Sequence, residues 1–316
     1  MQGWDFEKPI IELEQKIKEL RSFSTDEKVE MSSEINNLVK KLKSLKQEIY
    51  FNLTPWQKVQ ISRHPQRPTT LDYLKLIAED YLLLSGDRNF GEDQALVCGF
   101  ATIGGEKVAF AGHQKGKDTH ENIKRNFGCA HPEGYRKAMR TMRLAERFDL
   151  PVLCFIDTPG AYPGIGAEER GQAQAIAENI RDMFGLKVPI IVAVIGEGGS
   201  GGALGIGVGD RVLITEYGYY SVISPEGCAA ILWKDAAKRE EAARVLKLTA
   251  PELLKLGIID EIVSEAEGGA HWNPEESATN LKKSLLTNLS QIKNLDRKQL
   301  IEKRYQRYRK IGEFIE

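Results

Sequence analysis

The residue types with the clearest chemical potential lie in one glycine-rich stretch, VIGEGGSGGALGIGVGD, residues 194–210. Gly196, Gly198 and Gly201 match the G-x-G-x-x-G spacing of dinucleotide-binding turns, and Glu216 follows about 20 residues after the first glycine. In that motif, the glycines let the backbone approach a pyrophosphate. On this interpretation the chain is a nicotinamide or flavin enzyme.

The same stretch also fits a serine hydrolase. Ser200 is the centre of a G-x-S-x-G pattern, and Asp260 and His271 follow in the chain order of an α/β-hydrolase triad. A serine nucleophile needs a histidine within reach to take its proton. Because His271 lies in a loop bounded by glycine and proline, its spacing does not establish that contact. The hydrolase remains an alternative that a serine-directed reagent tests.

A third chemistry uses backbone groups alone. The backbone N–H groups of a glycine pair at the start of a helix can hold an oxyanion. Gly205, Gly207 and Gly209 leave little good helix before residue 210, whereas a dinucleotide-binding turn opens a long helix. Tight packing of strand on helix without chemistry, as in a noncatalytic scaffold, is the competing explanation. We favour the oxyanion interpretation.

Two segments with the same plan position these residues. Residues 151–174 and 188–207 each contain an apolar strand, then a glycine-rich turn, then a helix. Strands that are apolar throughout are typical of a sheet buried on both faces. Open α/β sheets bind ligands at the carboxyl ends of their strands. We therefore expect the two turns to lie side by side and to border a site.

The first fifty residues differ from the rest. Apolar residues recur every three or four positions over 10–20 and again over 31–49, which predicts two helices. Between them, Ser24 and Glu27 have the spacing of a capping box, which predicts an antiparallel hairpin. The hairpin packs on the body of the protein or docks a partner. We take residues 1–50 as a partner-docking hairpin and residues 51–316 as one α/β domain.

Other elements complete the prediction. A helix is expected from Leu71 to Leu84, ended by Gly86. Two strands joined by Gly104 and Gly105 are expected to form a hairpin. The C-terminal third is expected to be helical, and its last, basic helix is expected to present a solvated face.

Composition excludes several classes of function. The 44 basic and 45 acidic residues give a net charge of −1, so no general field attracts nucleic acid or anionic lipid. No apolar run is long enough to cross a bilayer, and the N-terminus resembles no leader peptide, so we expect a cytoplasmic protein. The four cysteines form no C-x-x-C pair, so we expect no metal site in this chain.

Longer blocks carry a family resemblance. The chain resembles the carboxyltransferase alpha subunits of multi-subunit bacterial acetyl-CoA carboxylases in FIDTPGAYPGIGAEERGQ, the glycine-rich stretch, HPQRPTTLDY, AGHQKG, PEGYRKAMR and YSVISPEGCAAILWKD. The resemblance covers essentially the whole chain. Two departures, Cys129 for an expected Met and Gly205 for an expected Ala, remove no polar group.

The resemblance implies a fold, a reaction and partners. The fold is the α/β crotonase type (ClpP/crotonase-like), built from repeated ββα units, here with a helical hairpin at the N-terminus and a helical C-terminus. The reaction transfers a carboxyl group from carboxybiotin to acetyl-CoA, giving malonyl-CoA for fatty-acid biosynthesis. The partners are a zinc-bearing beta subunit, in an α2β2 assembly, the biotin carboxyl carrier protein and biotin carboxylase. The compartment is the cytoplasm, or the plastid stroma for a plastid-encoded chain.

The resemblance also implies site residues. The amides of Gly201 and Gly202 would form the oxyanion hole on the biotin side. Gly160 and Gly164 would let the biotin ring approach, with Tyr162 as a wall.

A locally basic region offers ligands for the phosphates of coenzyme A or for the transferred carboxylate. Lys115, Arg136 and Lys137 are the candidates for this role, within a larger set that includes Lys117, Lys124, Arg125 and Arg140.

Overall fold

The computed structural model describes residues 4–23 and 30–312. In these residues eight strands form one sheet: β1 (Asp80–Leu84), β2 (Leu96–Ile103), β3 (Glu106–His113), β4 (Val152–Thr158), β5 (Ile190–Gly199), β6 (Arg211–Thr215), β7 (Tyr219–Ser221) and β8 (Glu261–Val263).

The α-helices of the same residues lie before, between and after the strands. They are α1 (Lys8–Phe23), α2 (Glu30–Phe51), α3 (Pro55–Ser62), α4 (Thr70–Ile77), α5 (Thr119–Lys124), α6 (Pro132–Arg147), α7 (Ile165–Glu169), α8 (Gln172–Gly185), α9 (Ser200–Leu204), α10 (Pro225–Trp233), α11 (Arg239–Val245), α12 (Ala250–Lys255), α13 (Pro274–Ile292) and α14 (Arg297–Arg309). None of them combines the length and the apolar composition that a membrane span requires.

The sheet is mixed, with the order β1-β2-β3-β4-β5-β6-β8. β1, β2 and β3 pair antiparallel, and every later pair is parallel. Gly104 and Gly105 connect β2 to β3 with φ angles of 60° and 78°, a left-handed pair suited to a tight hairpin turn. The predicted hairpin is therefore confirmed. β5 pairs with β6 along residues 191–194 and with β7 along residues 197–199.

The central strands separate two apolar cores. Side chains alternate along β4, so Val152, Cys154 and Ile156 face the core that α6 and α8 cover. Leu153 and Phe155 face the opposite core, which α4 and α13 cover. All residues of β4 and β5 are buried, as the uninterrupted apolar runs predicted.

The predicted helix from Leu71 to Leu84 is wrong in its second half. Helix α4 ends at Ile77, Ala78 is extended, and β1 then pairs antiparallel with β2. The run Asp80–Leu84 is apolar without a clear period, so the pattern fits either a helix or a strand. Pairing with β2 decides between them.

The N-terminal hairpin forms as predicted, with the start of α1 against the end of α2. Ile10 is fully buried in a cluster with Tyr50, and Lys46 pairs with Glu14 at 2.6 Å. The predicted capping box at residues 24 and 27 lies outside the described residues.

The charge of helix α14 predicted a solvated face, but one of its arginines is buried. Arg304 is completely buried, pairs with Asp210 at 2.8 Å and donates to the carbonyl oxygens of Met183, Leu186 and Val188. This arginine fastens the C-terminal helix to the loop that leads into β5.

Candidate functional site

The two glycine turns meet, as their shared plan predicted. β4 and β5 are parallel neighbours, so the turns leave the sheet at the same edge. A Cβ atom at Gly202 would lie 2.4 Å from the carbonyl carbon of Gly160, and one at Gly199 would lie 2.2 Å from the carbonyl oxygen of Pro159. The backbones therefore touch at a distance that no side chain tolerates.

Other positions in the same turns face open space. A Cβ at Gly160 would have Ser200 Cβ, 3.9 Å away, as its nearest neighbour, and a Cβ at Gly201 would have Ile176 Cδ1 at 3.7 Å. Ser200 has a φ of 52°, the left-handed conformation that non-glycine residues rarely adopt. This strained residue begins α9.

The amides of Gly201 and Gly202 lie in the first turn of α9, where helical N–H groups lack intrahelical acceptors. The carbonyl of Gly201 is engaged further along, by the N–H of Gly205 at 3.0 Å. First-turn N–H groups of this kind are the donors that an oxyanion site uses.

A charged network, which the sequence did not reveal, lies under the turns. Lys115 Nζ is 2.7 Å from Asp157 Oδ1 and 2.6 Å from Glu197 Oε2. Burial acts to lower the pKa of Lys115, but the two carboxylates raise it above its usual value. Burial acts to raise the pKa of Glu197, but Lys115 and Arg63 lower it to about 2. Lys115 and Glu197 are therefore both charged at neutral pH.

Arg63 extends this network toward the surface. Its Nε donates to Glu197 at 2.6 Å and its Nη1 donates to Glu226 at 2.6 Å, while the Tyr219 hydroxyl donates to Glu197 at 2.9 Å. A cleft of about 630 Å³ opens above these groups. Its lining includes Arg63, Lys115, Phe127, Asp157, Glu197 and Glu226.

Tyr162 packs in the first turn. Its ring stacks on His131 with centroids 4.1 Å apart, and its N–H donates to the carbonyl of Ala130 at 3.1 Å. A Cβ at Gly164 would lie 2.4 Å from Tyr162 Cε1. Gly164 thus makes room for the tyrosine ring, where the sequence had suggested room for a ligand.

The structure does not leave Arg136 and Lys137 free to bind a ligand. Arg136 Nε donates to Asp87 at 2.7 Å, and the buried Lys137 ammonium pairs with Glu92 and donates to the carbonyl of Asp93 at 2.7 Å. Both side chains hold the loop before β2 against α6.

His113, which the sequence analysis did not single out, also lies close to the glycine turns. It ends β3 and is fully buried near the carbonyls of Phe155 and Gly202, although neither ring nitrogen reaches hydrogen-bond geometry. Burial lowers its pKa to about 3, so the ring is neutral at physiological pH. The sequence could have pointed to His113 through its position at the carboxyl end of an apolar strand, in AGHQKG.

The hydrolase triad is not assembled. His271 stacks on His64, and Asp260 accepts hydrogen bonds from Arg307 at 3.1 Å and from the N–H of Val212 at 2.7 Å. No hydrogen bond joins Ser200 to either residue in the described part of the chain. The G-x-S-x-G match is therefore a coincidence of a glycine-rich turn.

One buried group of metal-ligand types occurs in the described residues. The ligand atoms of Glu7, His64 and His271 lie within 4.8 Å of one another. The two imidazoles are stacked, with centroids 3.9 Å apart and planes 20° apart. A nitrogen lone pair lies in the plane of its ring, so one ion cannot bind both rings in this stacked arrangement. The Glu7 carboxylate accepts from the Tyr50 hydroxyl at 2.9 Å and lies 3.5 Å from His271 Nε2.

Sequence comparisons identify relatives along the full chain. A family model described as acetyl co-enzyme A carboxylase carboxyltransferase-like matches residues 3–312. An acetyl-coenzyme A carboxylase carboxyl transferase subunit alpha from Halalkalibacterium halodurans is 56% identical over 310 residues, covering 98% of this chain and 95% of the relative. The protein of the same name from Geobacter metallireducens is 57% identical over 312 residues, covering 99% and 98%.

Solved structures share the fold at low identity. Transcarboxylase 12S, solved with methylmalonyl-coenzyme A and methylmalonic acid, aligns with a TM-score of 0.58 at 19% identity, over 73% of this chain and 44% of that chain. A Pseudomonas malonate decarboxylase hetero-tetramer, solved with coenzyme A, aligns with a TM-score of 0.58 at 17% identity, over 73% and 90%. The chain thus spans less than half of the transcarboxylase chain. The likeness confirms the predicted crotonase-type α/β fold.

Proposed function

The chain belongs to the family of acetyl-CoA carboxylase carboxyltransferase alpha subunits, and from this membership we propose the reaction that its glycine turns serve. With a beta subunit, it transfers the carboxyl group of carboxybiotin to acetyl-CoA and gives malonyl-CoA for fatty-acid biosynthesis. Carboxybiotin, presented by the biotin carboxyl carrier protein, supplies the carboxyl group and, once decarboxylated, the base.

The observation that carries this proposal is the contact between the two turns. Negative charge develops on the ureido oxygen when the carboxyl group leaves, and fixed N–H donors stabilise such charge because they need no reorganisation. In this proposal the amides of Gly201 and Gly202 donate to that oxygen. The open surface at Gly160 admits a flat ring, and Tyr162, braced by His131, forms a wall of the site.

A second subunit completes the site in this proposal. Charge also develops on the thioester oxygen of acetyl-CoA, and we assign its donors, together with a structural zinc, to the beta subunit. Large apolar side chains near the turns support association there: Ile165 is 80% exposed and Val222 is 77% exposed. The proposed assembly is α2β2, working with the carrier protein and biotin carboxylase, in the cytoplasm or in the plastid stroma.

The test is malonyl-CoA formation by the purified chain with and without a candidate beta subunit, given acetyl-CoA and a carboxybiotin donor. We expect no transfer and little or no zinc for the isolated chain, and transfer by a stable hetero-oligomer. Robust transfer by the isolated chain, or stoichiometric zinc in it, contradicts this division of labour.

A further inference from the structure

We propose that Lys115 is a positioning residue, whose ammonium group ties the carboxyl ends of β4 and β5 together and so sets the spacing of the two glycine turns. This inference rests on the proposed function. It replaces the direct ligand contact that the basic character of Lys115 suggested.

The β4–β5 pairing is irregular where the two strands approach their turns. The β4–β5 ladder runs in register to the pair Ile156 and Val194, but the next pair is Thr158 and Gly198. β5 therefore carries two more residues than β4 in this interval, and the regular ladder is interrupted just before the turns. Residues Asp157 and Glu197 lie inside the interruption.

Side chains replace the missing ladder contacts. Asp157 Oδ1 accepts the N–H of Glu197 at 3.0 Å, which joins the two strands through a carboxylate. The same Asp157 oxygen and the other strand's Glu197 side chain both contact Lys115, at 2.7 and 2.6 Å. One ammonium group thus bridges one residue from each strand, each a few positions before its turn.

The charges make this bridge necessary. The side chains of Asp157 and Glu197 are 6% and 7% exposed, so water screens their mutual repulsion poorly. Glu197 has a second cation, Arg63, at 2.6 Å, whereas Asp157 has Lys115 as its ion-pair partner among the described residues. Removing the ammonium leaves two buried carboxylates side by side, and the strand ends separate to relieve the repulsion.

Separation of the ends of β4 and β5 directly changes the geometry of the glycine turns. The backbones of Gly202 and Gly160 are already in contact, so movement of either strand end changes the direction of the donor amides. A displacement of about 1 Å lowers turnover about 100-fold in positioned reactions. Two of the three ammonium hydrogens of Lys115 are committed to the carboxylates, which fits a fixed bridge better than a mobile ligand contact.

The test uses three variants in the assembled enzyme with the beta subunit. Lys115→Met is expected to lower kcat about 10- to 100-fold, with the KM for the carboxybiotin donor and for acetyl-CoA within about twofold. Lys115→Arg keeps a cation that can bridge two carboxylates and is expected to stay within about threefold of the wild-type kcat. Lys282→Met, which removes a half-buried lysine paired with Glu79 at 3.0 Å, is the control for losing a lysine.

A double variant separates positioning from binding. The amide oxygen introduced by Asp157→Asn can still accept the N–H of Glu197 but carries no charge, so Lys115→Met combined with Asp157→Asn is expected to raise kcat at least about fivefold above that of Lys115→Met. The double variant also carries the test if Lys115→Met does not assemble.

Two results overturn the proposal: a raised KM with unchanged kcat in Lys115→Met, which indicates a ligand contact, and no recovery in the double variant. Failure of the proposed function is distinguishable, because the wild-type assembly itself then forms no malonyl-CoA.

Discussion

Adding one methyl group at Gly202, and the same group at Gly201, gives two variants with opposite expectations. At Gly202 the new Cβ would lie 2.4 Å from Gly160 C, 2.6 Å from Ala161 N and 2.7 Å from Gly160 O. At Gly201 the nearest atom, Ile176 Cδ1, is 3.7 Å away, an ordinary contact. The two glycines are neighbours in one short helix, so the change in helix propensity from glycine to alanine is the same for both variants.

The expected losses of stability and of kcat follow from the steric overlap at Gly202. Ordinary Cβ contacts begin at 3.4 Å, so Gly202→Ala forces the two turns about 1 Å apart. The atoms in the way are backbone atoms of a neighbouring turn, which cannot rotate aside as a side chain does. Overpacking of this kind costs about 1–3 kcal/mol of stability. Misdirecting one oxyanion donor costs about 10²–10³ in kcat.

The assay is carboxyl transfer by the assembled enzyme, with thermal unfolding and size-exclusion chromatography on the same samples. We expect Gly202→Ala to lose about 10²–10³ in kcat while it still assembles with the beta subunit, Gly202→Val to abolish turnover, and Gly201→Ala to remain within a few-fold of the wild type. Near-normal activity in Gly202→Ala refutes the steric reasoning. An equal loss in Gly201→Ala shows that the open space beside it is filled by the ligand.

Three other predictions concern Ser200, Arg136 and Asp87. Ser200→Ala retains substantial carboxyl transfer, whereas a loss of about 10⁴-fold with the fold intact restores the nucleophile hypothesis. Arg136→Met lowers the free energy of unfolding, measured with urea, by about 1–3 kcal/mol without changing the KM for acetyl-CoA; a raised KM at unchanged stability returns Arg136 to the site. Burial acts to raise the pKa of Asp87, but Arg136 and three backbone N–H groups lower it to about 2. Its stabilising contribution is therefore complete at neutral pH and is lost as the pH falls below about 5 toward 2. Asp87→Asn should remove about 1 kcal/mol of the stability change between pH 5 and pH 3, and an unchanged pH dependence contradicts the assignment.

Local sequence determined strands β2 to β5 and the glycine turns that follow β4 and β5. The expectation of a wholly helical C-terminal third was wrong, because β6, β7 and β8 lie there and join the sheet. An apolar run bounded by glycine and proline has few stable conformations other than a buried strand, and glycine pairs admit backbone that other residues exclude. The side-by-side placement of the turns followed as well, because parallel neighbours end at one edge of a sheet. The run after Ile77 was ambiguous because its apolar residues lack a period, and pairing with β2 made it a strand.

Tertiary structure alone decided what each charged side chain does. The partners of Lys115 lie 42 and 82 residues away along the chain, and the carboxylate that Arg304 binds lies 94 residues away. Ion pairs are set by geometry across the fold and leave no periodic trace in sequence, so a basic stretch near a site looks the same whether its residues bind a ligand or one another. Packing took Arg136 and Lys137 into internal pairs and placed Lys115 between the strand ends.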